Sequence, residues 1–190
     1  MKLSIIIPVF NEEGSLGELH HQITDSIKMF EEYEIVFIDD GSSDKSKLII
    51  QNMIEKDPRV KLISFFRNFG KSAALSEGFK YASGDIIITM DADLQDDPNE
   101  IPALISKLNE GFDLVSGWKK KRYDPWSKTF PSKIFNFVTR ILTGVKIHDF
   151  NCGLKAYRNS VVKSIEVFGG RHRYIPALAG QKNFSVAEIV

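Results

Sequence analysis

Apolar positions come in short runs split by polar clusters, and the runs alternate between two periods. "LSIIIPVF" is a continuous apolar run that ends in the turn-like "NEEGS". Leu16, Leu19, Ile23, Ile27 and Phe30 then recur at spacings of three and four, which predicts an amphipathic helix. "YEIVFI" is a β-branched and aromatic run, and Leu48, Ile49, Met53 and Ile54 mark a second helix stopped near Pro58. "VKLISFF" predicts a third strand, and Lys71–Ala82 a third helix closed by Gly84. "DIIITM" predicts a fourth strand. The helix after it runs from Pro98 to Asn109, with proline near its start and Gly111 beyond its end. "FDLVSG" is a fifth strand. Strands this apolar need cover on both faces. The alternation therefore predicts an α/β fold, a mostly parallel sheet with helices on each side.

That fold class gives the polar clusters a place. "NEE", "DDGSSD", "RNFGK", "DADLQDD" and "GWKKKR" each follow a strand. In parallel sheets ligands collect at the carboxyl ends of the strands, so the chemistry is expected on one edge. After Gly117 the character changes. Lys119, Lys120, Lys121, Arg122, Lys128, Lys133, Arg140 and Lys146 face one acid, Asp124. Ile134, Phe135, Val138, Ile141 and Leu142 give that stretch an apolar helical face. Such a helix either packs on the core with a solvated basic side or lies on an anionic membrane surface. From Val145, "HDFNCGLKAY" reads as a return to the sheet, so residues 1–190 are expected to form a single domain.

Composition narrows the partners. Lys+Arg and Asp+Glu both count 25 in 190 residues, which gives no case for a nucleic-acid binder. The single cysteine, Cys152, cannot form an intrachain disulfide, which suits a reducing compartment. The N-terminus lacks the pattern of a signal peptide. No apolar run approaches the roughly 18 residues of a membrane span, so the chain as given is expected to be soluble.

The acids after the fourth strand carry the strongest chemical signal. In an extended chain Asp91, Asp93 and Gln95 would share one face. Two carboxylates and an amide oxygen are hard ligands that suit Mg²⁺ or Mn²⁺ with water and phosphate oxygens. No His or Cys is near for zinc, and an EF-hand is excluded because Pro102 stands where its closing Glu belongs. Asp96 and Asp97 read as solvated, or as favourable to the next helix N-terminus. "FGKS" is half of a phosphate-binding loop, but Phe65 stands where a Walker A glycine is needed. No G-x-G-x-x-G follows the first strand either. Asp40 has two readings, acceptor to a nucleotide base or ribose, and turn former. His148 beside Asp149 suggests a base of unfixed geometry.

"IIPVFNEE", "VFIDDGSSD", "RNFGKSAALSEGF" and "ITMDADLQDDP", in this order and spacing, resemble the family 2 inverting glycosyltransferases of the GT-A fold, whose sheet is Rossmann-like. "DADLQ" and "DFNCGLKAYR" resemble the branch that loads sugars onto polyprenyl phosphates, such as dolichyl-phosphate mannose synthases and undecaprenyl-phosphate glucosyltransferases. The resemblance implies that Pro8, Phe10 and Glu12, with Ile38 and Asp40, meet the nucleotide. It implies that Asp91 and Asp93 meet the donor diphosphate through Mg²⁺ or Mn²⁺, with Gln95 as third ligand. It further implies that Lys119 meets phosphate, that Asp149 lies near the reacting centre, and that Arg171 and Arg173 approach the acceptor phosphate. "FRNFGKSAAL" inclines the donor toward a UDP-sugar, with GDP-mannose as the other choice. The implied place of action is the cytoplasmic face of a membrane. The implied attachment is peripheral, or through a segment beyond residue 190, where related chains carry an Arg-rich stretch that completes the phosphate site and many then carry membrane helices. A homo-oligomer is compatible with all of this.

A phosphate monoester acceptor is already anionic and needs little from a general base, so Asp149 reads as an orienting or metal-linked group as readily as a base. Two alternatives stay open: a family 2 transferase acting on a sugar or protein hydroxyl, and a nucleotide-sugar-binding module with impaired catalysis.

Overall fold

A computed structural model describes residues 1–118, 139–140 and 143–190. The described strands are β1 (Lys2–Val9), β2 (Glu32–Asp39), β3 (Val60–Ser64), β4 (Ile86–Thr89), β5 (Leu114–Gly117), β6 (Lys155–Arg158) and β7 (Val186–Ile189). They form one sheet in the order β3-β2-β1-β4-β6-β5-β7. The helices are α1 (Leu16–Ser26), α2 (Ser46–Lys56), α3 (Lys71–Tyr81), α4 (Ile101–Asn109), α5 (Asn159–Ser164) and α6 (Ile175–Gln181).

The expected α/β class and mostly parallel sheet are observed. β1 pairs in parallel with β2 and β4, and β2 with β3. One feature differs: β4 and β5 are not neighbours. β6 lies between them and runs antiparallel to both. The chain reaches β6 from the ligand edge, so the strand has to run back. This brings the start of β6, with the preceding Asp149–Leu154, to the same edge as the ends of β1 to β5. β7 then adds in parallel beside β5.

The apolar runs are buried on both faces, as a doubly covered sheet requires. Ile5, Ile7, Phe37, Ile86 and Ile88 face α1, α2 and α4, whereas Ile6, Val36, Ile38 and Ile87 face α3, α5 and α6. Ile86, Ile87 and Ile88 are each 0% exposed, so the triple isoleucine divides two to one between the layers. Burial of each such side chain contributes about 1.5–3 kcal/mol. Gly78 on α3 sits so close to the sheet that a Cβ there would meet Ile6 Cγ2 at 2.4 Å. The helix from Pro98 opens as a 3-10 turn, Pro98–Glu100, before α4 begins.

The opposite edge is closed by a buried carboxylate. Glu34 Oε1 accepts from the Ser4 hydroxyl (2.6 Å), the Ser83 N–H (3.0 Å) and the Ser83 hydroxyl (2.8 Å). Burial alone would raise the Glu34 pKa, but these hydrogen bonds, with Lys2 nearby, hold it below its ordinary value.

Candidate active site

Two polar loops are stitched together at the ends of β1 and β2. Asn11 sits at φ 58°, a left-handed conformation that Asn tolerates. Its N–H donates to Ser42 Oγ (3.0 Å), and its Oδ1 accepts from the Ser43 N–H (2.8 Å). The Glu12 N–H donates to Ser46 Oγ (2.8 Å), and Glu13 accepts from the Lys45 N–H (2.8 Å). Asn11 and Glu13 of "NEE" therefore hold the scaffold. Glu12, with Pro8 and Phe10, lines a cleft of about 310 Å³ that also takes in Asp40, Asn68, Gly70, Lys71, Asp91 and Asp93.

Asp40 is 3% exposed. Its two oxygens accept from the backbone N–H groups of Phe69 (2.7 Å) and Gly70 (2.8 Å). The carboxylate thus clamps the loop that leads into α3 while still bordering the cleft, and the turn-forming acceptor is Asp39, which takes the Ser42 N–H (3.0 Å). Neighbouring Gly41 lets that loop pass at close quarters. It has φ 74°, and a Cβ on it would fall 2.4 Å from the Arg67 carbonyl carbon. Ile38 is placed differently from the other expected donor contacts: its side chain is 0% exposed and packs under α3, outside the cleft.

The β4 end departs from the extended geometry assumed for Asp91, Asp93 and Gln95. Leu94 takes φ 61°, so the chain turns there. Asp93 Oδ1 accepts from the Gln95 N–H (3.1 Å). Asp91 and Asp93 both line the cleft, whereas Gln95 is exposed and does not. Asp96, expected to be solvated or at the helix start, is 3% exposed and turns back, its Oδ2 accepting from the Asp91 N–H (3.1 Å). Asp97 does serve the next turn, accepting from the Asn99 N–H (2.9 Å).

Lys71, the first residue of α3, forms an ion pair with Asp91. The sequence pattern does not single it out as a site residue, although the half phosphate loop "FGKS" contains it. Behind Asp91 is a small recess of about 20 Å³, whose polar lining includes Lys71, Lys155, His172 and Arg173. Lys155 is 3% exposed, and its ammonium meets the Cys152 carbonyl. Burial, with Lys71 adding to it, holds the Lys155 ammonium below the usual lysine range, against the pull of Cys152, Asp149 and Asp91. His172 Nδ1 shares a hydrogen bond with Ser72 Oγ (2.9 Å). Burial, then the charges of Lys71 and Arg173, lower its pKa to about 4, so it is neutral at pH 7. Gly153 lets the β6 segment approach: a Cβ there would lie 2.7 Å from Asp91 Cγ and 2.7 Å from Asp96 Oδ2. Thr89 Oγ1 donates to the Gly153 carbonyl (2.9 Å), fixing that approach.

The remaining expected residues separate. Arg173 lines the recess, but Arg171 lies over the Phe168 ring at 3.9 Å. Asp149 is 2% exposed and lines neither the cleft nor the recess; its Oδ1 accepts from the Asn151 N–H (3.0 Å). His148 pairs with Glu188 and stacks on Trp118 at 4.3 Å. Lys119 and most of the basic stretch to Lys146 lie outside the described residues.

Among the described residues, no group of three His, Cys, Asp or Glu side chains is arranged to hold a metal. Asp91 and Asp93 present two hard donors on an open cleft. That set fits a divalent ion completed by water and diphosphate oxygens, but not an all-protein cage.

Residues 4–166 match the model of the glycosyl transferase family 2. The chain belongs to the family 2 glycosyltransferases. Curated relatives of this chain are named for sugar transfer to polyprenyl phosphates. A dodecaprenyl-phosphate galacturonate synthase of Rhizobium johnstonii is 37% identical over 181 residues, covering 93% of this chain and 54% of that protein. An undecaprenyl-phosphate 4-deoxy-4-formamido-L-arabinose transferase of Shewanella sediminis is 43% identical over 189 residues, covering 98% of this chain and 57% of that protein. The chain thus spans about half the length of the curated relatives it matches. Among solved structures, glucosyl-3-phosphoglycerate synthase from Mycobacterium tuberculosis with Mn²⁺, UDP and phosphoglyceric acid aligns with a TM-score of 0.74 at 18% identity, over 98% of this chain and 67% of that one. A mannosyltransferase from Pyrobaculum calidifontis with GDP-Man and Mn²⁺ aligns at 0.71 and 20% identity, over 98% and 54%. At these identities the likeness establishes the GT-A fold of this glycosyltransferase.

Proposed function

We propose that this family 2 glycosyltransferase moves a glycosyl group from a nucleoside-diphosphate sugar to a polyprenyl phosphate, and that residues 1–190 act as one catalytic unit. The carrying observation is the adjacency of two unlike subsites. Asp91 and Asp93 border the donor cleft, and the cationic side chains of Lys71 and Arg173 line a recess of about one water's volume behind the same Asp91. Pro8, Phe10 and Glu12 frame the nucleotide. Asp40 orders the Asn68–Lys71 loop beside it rather than contacting the base alone. Asp91 and Asp93 are the residues that would hold Mg²⁺ or Mn²⁺, and the ion would neutralise charge on a diphosphate there. Lys71 and Arg173 take up phosphate charge from the other side, and Lys119 is a further candidate for that task. Their cationic field favours the anionic acceptor and stabilises charge as it shifts to the leaving group.

The surroundings of Asp91 support the same acceptor class. His172, with its pKa near 4, is a poor proton acceptor at pH 7. A sugar hydroxyl needs a base, whereas a phosphate monoester brings its own charge. Asp149, buried on the Asn151 N–H, is an orienting residue of the β6 approach. The polyprenyl carriers in the names of the relatives support the same acceptor. A uridine donor is preferred to a guanosine one on the "FRNFGKSAAL" resemblance, and the place of action is the cytoplasmic membrane face.

The test is a thermal-shift panel of UDP- and GDP-sugars, with and without Mn²⁺, followed by transfer assays on a short-chain polyprenyl phosphate and on hydroxyl acceptors. A donor at a hundred times its Kd should stabilise the fold by about 2.7 kcal/mol. Absence of any nucleotide effect sinks the donor site. Transfer to a hydroxyl, with none to the lipid phosphate, sinks the acceptor assignment.

A further inference from the structure

Three phenylalanines stand out of the surface on one flank of the ligand edge. Phe66 is 85%, Phe168 53% and Phe69 47% exposed. With Val167 and Ala73 they line a groove of about 580 Å³, which continues through Ser76 and Phe168 into a second groove of about 430 Å³ along α3. Single exposed apolar residues are ordinary, but a contiguous aromatic patch marks an interaction surface.

The rings are also held out. Asp40 fixes the Phe69 and Gly70 N–H groups, and Gly41 lets the Arg67 backbone lie against it without clearance. Phe69 packs edge-on against Phe65 (5.6 Å) and Phe66 (5.1 Å). The clamp thus fixes the backbone that carries Phe69, and Phe66 rests on that ring.

Cations accompany the rings. The Arg67 guanidinium lies 4.9 Å from the Phe69 ring centre and 5.5 Å from that of Phe66, and Arg171 lies 3.9 Å from that of Phe168. The acid of the first groove, Glu77, is paired with Lys80, and the acid of the second, Glu166, shares that groove with Lys80 and Lys163. Aromatic rings with arginines at their faces suit the bilayer interface, where rings sit at headgroup level and guanidinium groups meet lipid phosphate.

We propose that this flank docks the chain onto an anionic lipid bilayer, with Phe66, Phe69 and Phe168 at headgroup level and Arg67 and Arg171 on lipid phosphates. The 3-10 turn Arg171–Tyr174 joins the patch to the site: Arg171 covers Phe168, while His172 and Arg173 of the same turn line the recess behind Asp91. Docking there brings Arg173 and the edge beside Asp91 toward the bilayer, and it relies on the lipid-acceptor reading only for its biological purpose.

The 190-residue chain is sedimented with vesicles of phosphatidylcholine alone and with added phosphatidylglycerol. Binding should require the anionic lipid. The double variant Phe66→Ser with Phe168→Ser should lower the partition coefficient at least tenfold, with the donor-induced melting shift unchanged. Phe66→Trp, which keeps a ring, should be quenched by brominated lipid chains. Equal binding by the double variant, no vesicle binding by the parent chain, or an unquenched tryptophan overturns the proposal. So does a parent dimer that the double variant converts to monomer, since the occupant is then a second copy. Donor shifts report separately on the catalytic reading.

Discussion

Asp40 decides between two accounts of the same carboxylate, and they separate in the absence of any ligand. Asp40→Ala leaves the Phe69 and Gly70 N–H groups without their acceptors at 2.7 and 2.8 Å, in a position only 3% exposed. Hydrogen bonds to a charged acceptor are worth about 1.5–3 kcal/mol each. Water entering the space offsets part of the loss, so a net destabilisation of about 3 kcal/mol is expected. For a chain of this length that corresponds to a melting temperature lower by roughly 6–12 °C. Asp40→Asn, which keeps one acceptor oxygen, should fall between. Both are measured by thermal and urea unfolding of the ligand-free protein, followed by donor titration. Donor affinity should fall along with stability, because the released loop carries Asn68, Gly70 and Lys71. If Asp40→Ala melts within a degree of the parent yet loses nucleotide binding, the carboxylate serves the nucleotide and the clamp account is wrong.

Gly153→Ala drives a methyl group to 2.7 Å from Asp91 Cγ and Asp96 Oδ2; it should cost about 1–3 kcal/mol in unfolding experiments and weaken Mn²⁺-dependent donor binding by displacing Asp91. Lys71→Met removes the cation paired with Asp91; calorimetric donor affinity should drop roughly ten- to a hundredfold, and Lys71→Arg should restore only part of it. His172 has a folded pKa of about 4 against an ordinary 6.5, so the folded state binds fewer protons between those values and stability falls as pH drops through that window. His172→Asn should flatten the pH dependence of urea midpoints there, and an unchanged slope would place His172 in a solvated setting.

Much of the fold was legible because the central runs of β1, β2 and β4 are apolar and the turns after them are not. Ile86–Ile88 can only be a strand covered on both sides, and each cluster of acids, amides and glycines after such a run marks the same edge. β6 was only half legible. Its core sequence, Lys155–Arg158, carries a charge into the middle of the sheet, and propensity argues against that choice. It is tolerated because the ammonium turns onto the Cys152 carbonyl and has Asp149 and Asp91 within reach. β7 is a four-residue strand, fixed by its pairing with β5 and not by any strong pattern of its own.

The site divides the same way. Asp91 and Asp93 could be read from their place at a strand end. The turn at Leu94, which removes Gln95 from the cleft, is a backbone choice that no side-chain pattern announces. Lys71 and Gly153 were hidden for a different reason: each acts on Asp91 from a segment distant in the chain. Lys71 reaches it from the start of α3, and Gly153 from the approach to β6. The crowding of acids after β4 is tolerable for the same cause. Asp91 meets a lysine, Asp96 accepts the Asp91 backbone N–H, and Asp97 caps the next turn. That leaves Asp93, exposed at the cleft mouth with one backbone hydrogen bond from Gln95, as the carboxylate with most coordination capacity to spare. A divalent ion brought by a diphosphate would therefore find Asp93 the more open of the two carboxylates, and Asp91 would join it more readily if a phosphate drew Lys71 away.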